Sequence, residues 1–226
     1  IAFSPDGELL VSASDDKTVR VWDWRAGVTL RTLRHQIGAG NEGKVFAVAV
    51  SPDGATVAAG GYFGPGIGDE PPYGDIRLFD LKTGRIAAVL KALDQAVLDI
   101  AFSPEGDFLA AGGDDGFVQV WRRDAAAETG WTRHGALDAD AWRIGKLAFA
   151  LGGERLAVAT ADNGLRLYDM ADGKEIAMPE AEALRDSRLS ALAVSPDGAA
   201  FATGNDEGHI HLWRVGDGAL AATLPA

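Results

Sequence analysis

The residues with the most potential for chemistry are two histidines near the C-terminal end of the sequence. His209 and His211 in the stretch GHIHLW alternate on one strand face and lie near Asp206, a spacing that could hold a metal ion. However, equivalent positions elsewhere in the sequence carry other polar side chains, which favours an exposed strand face over a metal site. These positions are Arg20, Arg77, Gln119 and Arg166.

A second candidate is the stretch GPGIGDEPPYG, which resembles a phosphate-binding loop. It lacks the lysine that such a loop needs, and two prolines stand where a helix should begin, so nucleotide binding is rejected. Asp69, Glu70 and Asp75 could bind calcium, but their spacing is not that of a calcium loop. The sequence contains no cysteine, and no histidine lies in a nucleophile motif. We therefore predict no catalytic residue, no metal and no cofactor.

Composition narrows the class of partner. The 226 residues are 47% hydrophobic and carry a formal net charge of −12, which disfavours nucleic acid and anionic membranes, since both require clustered basic residues. No apolar stretch has the length of a membrane span. The cysteine-free composition favours a reducing compartment, so we predict a cytoplasmic location.

An internal repeat supplies the elements that position any site. The stretch SPDG at residues 4–7 returns at 51–54, as SPEG at 103–106, as ALGG at 150–153 and as SPDG at 195–198. The steps between them are 47, 52, 47 and 45 residues. Each unit contains an apolar run, a small-residue run such as FLAAGG, an alternating run ending in an aromatic residue such as FVQVW, and a weaker fourth run. The sequence therefore predicts four short antiparallel strands per unit.

These repeats resemble the WD-repeat β-propeller family. The resemblance rests on SPDG, on SASDDKTVRVWD, in which Trp22 and Asp23 match the family dipeptide, and on TLRTLRH. It implies an all-β fold, a β-propeller with five four-stranded antiparallel blades in this chain. We predict one region, 1–226, with blades at approximately 1–34, 44–93, 94–137, 143–178 and 188–226.

The resemblance also implies a structural hydrogen-bond network of His, Ser or Thr, Asp and Trp in each blade. No unit carries all of its members. The matching residues are Ser12, Asp16, Trp22, His35, Asp115, Trp121, Asp162, Thr203 and Trp213, with Glu207 in place of an aspartate. The aromatic residues that end the alternating runs are expected to be buried; they are Trp22, Phe79, Trp121, Tyr168 and Trp213.

Seven strand residues precede each later SPDG equivalent, whereas only Ile1, Ala2 and Phe3 precede the first. This difference predicts that the chain is a piece of a larger propeller, and a closed ring of five blades is the alternative.

Departures from the repeat indicate where a partner could bind. The second unit has ten extra residues within 62–74, between its second and third strands, and a long connection through 35–43 enters the same unit. Both loops should lie on one rim, because the strands of a meander alternate in direction. Exposed aromatic residues beside acids are typical of a peptide-binding patch, although the rings could instead pack their own loop. The predicted binding residues are Tyr62, Phe63, Asp69, Glu70, Tyr73, His35, Asn41 and Glu42.

The same rim should carry Asp15, Asp114 and Asp206, which could attract a basic segment or could simply be solvated turn residues. We therefore predict a non-catalytic scaffold that binds a protein or peptide, and the Ala- and Gly-rich repeats favour a sensor or assembly module of a larger bacterial protein. The alternative is a propeller-type hydrolase or metal-dependent enzyme with its site near the central channel.

Overall fold

Five four-stranded antiparallel sheets make up the fold, and the strands of each sheet follow one another in chain order. The structure is a computed structural model that describes residues 1–34, 38–63, 74–161, 164–184 and 189–225. Alternating polar and branched or aromatic residues form the strands, and glycines with positive φ, such as Gly7 and Gly54, form the turns between them.

The strands of sheet 1 are β1 (Ala2–Phe3), β2 (Leu9–Ala13), β3 (Val19–Asp23) and β4 (Val28–Leu33). Sheet 2 has β5 (Val45–Val50), β6 (Thr56–Gly61), β7 (Gly74–Asp80) and β8 (Ile86–Leu93). Sheet 3 has β9 (Val97–Phe102), β10 (Phe108–Gly113), β11 (Phe117–Arg123) and β12 (Trp131–Asp138).

Sheet 4 has β13 (Ile144–Ala150), β14 (Arg155–Thr160), β15 (Leu165–Asp169) and β16 (Glu175–Ile176). Sheet 5 has β17 (Leu189–Val194), β18 (Ala200–Asn205), β19 (Ile210–Arg214) and β20 (Leu220–Leu224). Two short 3₁₀ helices, η1 (Leu151–Gly153) and η2 (Pro179–Leu184), belong to the fourth repeat.

Consecutive sheets pack face to face around a common axis. The first strands of neighbouring sheets lie side by side, β5 with β9, β9 with β13 and β13 with β17, so the first strand of each sheet is innermost. Four apolar clusters fill the four junctions between consecutive sheets. This arrangement confirms the predicted all-β propeller architecture of four-stranded antiparallel blades.

The SPDG turns are held by one repeated contact. In the first, second and fifth turns the serine hydroxyl donates to the aspartate carboxylate at 2.5 Å, and this bond is the main cause of the lowered pKa of Asp6, Asp53 and Asp197. The fourth turn lacks the serine and aspartate. There η1 replaces the turn, and the Leu151 N–H donates to the Gly198 carbonyl of the next turn at 3.3 Å.

The aromatic residues that end the third strands lie at the junctions. Phe79, Trp121, Tyr168 and Trp213 are buried, as predicted, whereas Trp22 of sheet 1 is only partly buried. Two contacts of the expected network form: the Trp22 indole donates to Ser12 Oγ at 2.9 Å, and the Trp213 indole donates to Thr203 Oγ1 at 3.1 Å. These rings therefore serve packing rather than recognition.

The polar residues two positions before these aromatics lie on the same strand face, and that face is not exposed. Arg77 and His211 are 8% exposed and Gln119 is 1% exposed, so the prediction of an exposed face is wrong at these positions. The physical reason is that these side chains share a strand face with the buried aromatic residues, and the preceding sheet covers that face. Buried polar groups then need local partners, such as Glu175 for Arg166 at 2.9 Å and Thr223 Oγ1 for His211 Nδ1 at 3.1 Å.

The forward face of a sheet, meaning the face turned toward the next sheet in chain order, is covered in sheets 1 to 4 but open in sheet 5. Val118 and Leu137 of sheet 3 are at most 8% exposed, whereas the equivalent Ile210 and Leu224 of sheet 5 are 43% and 47% exposed. An apolar face of this kind is typical of a surface that packs on another element.

Candidate functional site

Two rims bound the arc of sheets. The upper rim carries the turns between second and third strands and the connections between sheets, while the lower rim carries the SPDG turns and the turns between third and fourth strands. The predicted binding residues belong to the upper rim, and two groups of them can be located in the structure.

The described ends of the two long connections of the second repeat are hydrogen-bonded to each other at the upper rim. The Gly43 N–H donates to the Tyr62 carbonyl at 2.8 Å, and the Tyr62 N–H donates to the Lys44 carbonyl at 3.0 Å. Asn41 is exposed, while Glu42 and Tyr62 are partly buried. The structure therefore places Asn41 and Glu42, which directly precede Gly43, at the loop end that is bonded to Tyr62.

Phe63 does not provide the exposed aromatic group that the sequence predicted. Its side chain is 1% exposed and belongs to the apolar cluster between sheets 1 and 2. The Arg77 guanidinium lies 5.0 Å from the ring centroid, and burial lowers the pKa of Arg77. Phe63 is part of the core because the start of the loop turns inward over a buried strand. The other predicted residues of these loops, His35, Asp69, Glu70 and Tyr73, lie outside the described residues.

The three rim aspartates differ in their partners. Asp15 pairs with Lys44 at 2.8 Å, and Asp114 pairs with Arg143 at 2.5 Å. Each cation immediately precedes the first strand of the next sheet, so each pair bridges a junction. Asp206 is exposed, and the described part of the chain provides no ion pair for it. The rim is therefore less acidic than the sequence suggested, because two of its three carboxylates are neutralised within the chain.

Trp142 is an upper-rim residue that the sequence reasoning missed. It lies in the connection before β13, it is 57% exposed, and the Arg143 guanidinium lies 5.0 Å from its ring centroid. Tryptophan and arginine are the side chains that most often dominate protein interfaces. An aromatic residue outside the strand alternation, next to an arginine in a connecting loop, was the available signal.

A largely buried carboxylate lies at the junction of the innermost strands of sheets 3 and 4. Asp99 on β9 accepts the Leu147 N–H at 2.8 Å, and the Lys146 ammonium lies 3.4 Å from its other oxygen. Burial raises the pKa of Asp99, and Lys146 opposes that rise. The carboxylate satisfies an N–H group that the inner edge of β13 would otherwise leave without a protein partner.

We expect the substitution Asp99→Asn to stabilise the protein at neutral pH. A raised pKa means that the folded state loses stability as the pH rises through the pKa of this carboxyl group, and an amide keeps an acceptor for the Leu147 N–H without the charge. Urea unfolding should show a difference from wild type that is absent below the ordinary pKa of 3.8 and grows above it. Lys146→Met should have the opposite sign at neutral pH. A variant Asp99→Asn that is less stable than wild type at pH 7 would contradict this assignment.

The comparison with known proteins agrees with this geometry. The family model described as "WD domain, G-beta repeat" matches residues 1–23, 27–62, 84–122 and 183–214, more than half of the chain. The chain belongs to the WD-repeat family.

Similar proteins include subunits of larger complexes. The "Target of rapamycin complex subunit wat1" of Schizosaccharomyces pombe is 27% identical over 209 residues, which cover 92% of this chain and 59% of the relative. The "Target of rapamycin complex subunit LST8" of Mus musculus is 22% identical over 219 residues, covering 94% of this chain and 59% of the relative. The "Guanine nucleotide-binding protein subunit beta" of Solanum tuberosum is 22% identical over 219 residues, which cover 95% of this chain and 55% of the relative. This WD-repeat chain thus spans less than two thirds of the length of these relatives.

Three of the residues considered as metal ligands, His209, His211 and Asp75, lie in the described part of this WD-repeat chain. The rings of His209 and His211 are 6.2 Å apart, and burial lowers the pKa of His211. Asp75 is a half-buried carboxyl whose pKa is raised by burial. No group of three metal-ligating side chains occurs among the described residues, and no helix in the same ranges has the length and apolarity of a membrane span.

Proposed function

We propose that residues 1–226 form a single WD-repeat region that acts as a non-catalytic scaffold and binds a partner protein at its upper rim. The observation that carries this proposal is the exposed Trp142 beside Arg143, on the same rim as the two long loops of the second repeat. A large exposed aromatic residue among polar neighbours is typical of an interface anchor. The relatives that are named as subunits of complexes support a role in assembly.

The finer parts of the proposal concern the setting of the protein. We infer an assembly or sensor module of a larger bacterial protein, a cytoplasmic location, and a partner with a basic segment. The net charge of −12 supports the last of these, because an acidic surface accelerates association with basic partners. The cytoplasmic location is inferred from the absence of cysteine, and the bacterial origin is inferred from the Ala- and Gly-rich repeats.

We expect Trp142→Ala to reduce the affinity for a partner by about thirtyfold or more, since truncating an interface anchor costs about 2 kcal/mol or more. Trp24→Ala is a matched control, because Trp24 is 43% exposed on the lower rim and has the Arg25 guanidinium 4.7 Å from its ring centroid. Affinity purification from the native host, quantified by mass spectrometry, would compare both variants with wild type.

Equal losses for the two variants, or no loss for Trp142→Ala, would contradict an upper-rim site. Turnover of any member of a broad substrate panel, or a tightly bound ion found by mass analysis, would instead favour the alternative of a hydrolase or metal-dependent enzyme.

A further inference from the structure

An aspartate occurs at the same upper-rim position in three sheets, and its contacts in two of them show which chemical group this position binds. Asp15, Asp114 and Asp206 each follow the second strand of their sheet. Asp15 receives Lys44 at 2.8 Å, and Asp114 receives Arg143 at 2.5 Å. In both cases the cation is the residue immediately before the first strand of the next sheet. The chain itself therefore shows twice that this carboxylate position takes a basic side chain.

Asp206 occupies the equivalent position in sheet 5 but has no basic partner among the described residues. It is exposed, and the described ranges of the chain hold no lysine or arginine in ion-pair contact with it. It borders a cavity of about 380 Å³ at the upper mouth of the arc, whose apolar walls include Leu98, Ile144 and Leu189. A free carboxylate at the edge of an open cavity can receive a cation from outside the chain.

Three bulged residues of the first strands, Leu98, Gly145 and Ser190, line the cavity. Each first strand from sheet 2 to sheet 5 skips one residue in its pairing with the second strand. The skipped residues are Phe46, Leu98, Gly145 and Ser190. Bulges of this kind redirect a side chain away from the regular ladder. The bulged side chains are large in sheets 2 and 3, where they are Phe46 and Leu98, and small or absent in sheets 4 and 5. The small residues leave room for an incoming side chain beside Asp206.

The charges around the cavity leave a negative group available. Arg143 and Lys146 also line it, but Arg143 is paired with Asp114, and the Lys146 ammonium lies 3.4 Å from Asp99. Among the charged residues that line the cavity, Asp206 alone has no ion-pair partner within the described residues. An incoming cation would therefore gain one attractive contact, with the two lining cations already neutralised by neighbouring carboxylates.

We propose that this cavity binds a lysine or arginine side chain of a partner protein, with the cationic head paired to Asp206 and the aliphatic stem against Leu98 and Leu189. This proposal rests on the proposed function and names the chemistry that the partner presents at the same rim.

The test uses N-acetyl-arginine N-methylamide as the probe, titrated into the whole isotope-labelled chain and followed by amide NMR signals. We expect shifts at Leu98, Gly145, Ser190 and Asp206. Asp206→Asn should weaken binding by about twofold to fivefold, the range for an exposed ion pair. Ser190→Leu should abolish the shifts by filling the cavity, and it should fold because Leu98 occupies the equivalent position in sheet 3.

Glu105→Gln is the matched control, since it removes one exposed carboxylate from the lower rim and should leave binding unchanged. Absence of shifts in the wild type, equal shifts with the neutral N-acetyl-glutamine N-methylamide, or undiminished binding by Ser190→Leu would each overturn the proposal. The outcome is separate from that of the scaffold proposal, because loss of partner capture with Trp142→Ala does not depend on the response of Asp206→Asn to the probe.

Discussion

Replacing Trp121 with alanine is expected to lower the free energy of unfolding by about 3–5 kcal/mol, the usual cost of removing a buried tryptophan side chain. Trp121 is 3% exposed and packs in the cluster between sheets 2 and 3 with Leu78 and Leu109. Removing it leaves a cavity at a junction that both sheets need. Urea unfolding followed by circular dichroism would measure the loss.

Trp24 provides the control for this experiment. Its ring is 43% exposed, contacts Phe3 edge to face at 5.8 Å, and donates one hydrogen bond to the Gly7 carbonyl. Trp24→Ala should cost about 1 kcal/mol or less, the net value of one hydrogen bond. If both variants lost similar stability, the assignment of Trp121 to the junction would be wrong.

A second large loss is expected when Gly112 is replaced by valine. A Cβ atom at this position would lie 2.5 Å from Ile144 Cγ2 and 2.8 Å from Ile144 Cβ. The first strand of sheet 4 leaves no room for it, so the variant should lose about 3 kcal/mol, the upper end of the usual cost of overpacking. Thermal and urea unfolding would both detect a change of this size.

Gly204 is the equivalent residue of sheet 5 and makes the comparison sharp. The nearest atom to a Cβ built there is the Ala191 Cβ at 3.5 Å, an ordinary contact. Gly204→Val should therefore be neutral or slightly stabilising, because valine favours strands. A loss at Gly204 as large as that at Gly112 would show that strand backbone, rather than contact between sheets, sets the cost.

The sequence predicted the fold well because the signal is repeated. Turn residues such as Gly7 and Gly54, and the alternation that ends at Trp121 or Trp213, each follow from local backbone and burial preferences that recur in every unit. The polar row containing Gln119 and His211 was misjudged, since alternation predicts one solvent-exposed face, whereas the preceding blade covers the face that carries these residues.

The candidate site was predictable only in part. The placement of the loop ends at Gly43 and Tyr62 on one rim follows from strand direction alone, which is a property of the sequence pattern. The burial of Phe63 and the pairing of Asp114 with Arg143 depend on how a neighbouring sheet approaches, and residue spacing carries no information about that approach. Trp142 could not be found from unusual loop length, because the connection that carries it is short.

The buried pairs between second and third strands, such as Ala58 with Leu78 and Ala110 with Val120, have a geometric consequence. The second strands, near the axis, present alanines such as Ala58 and Ala110, while the third strands farther out present larger residues such as Leu78 and Val120. Two sheets that are separated by small side chains between their second strands and by larger ones between their third strands diverge outward as a wedge. The angle of that wedge determines how far each blade turns from the last, so added bulk on the inner strands should straighten the arc before it unfolds any single blade.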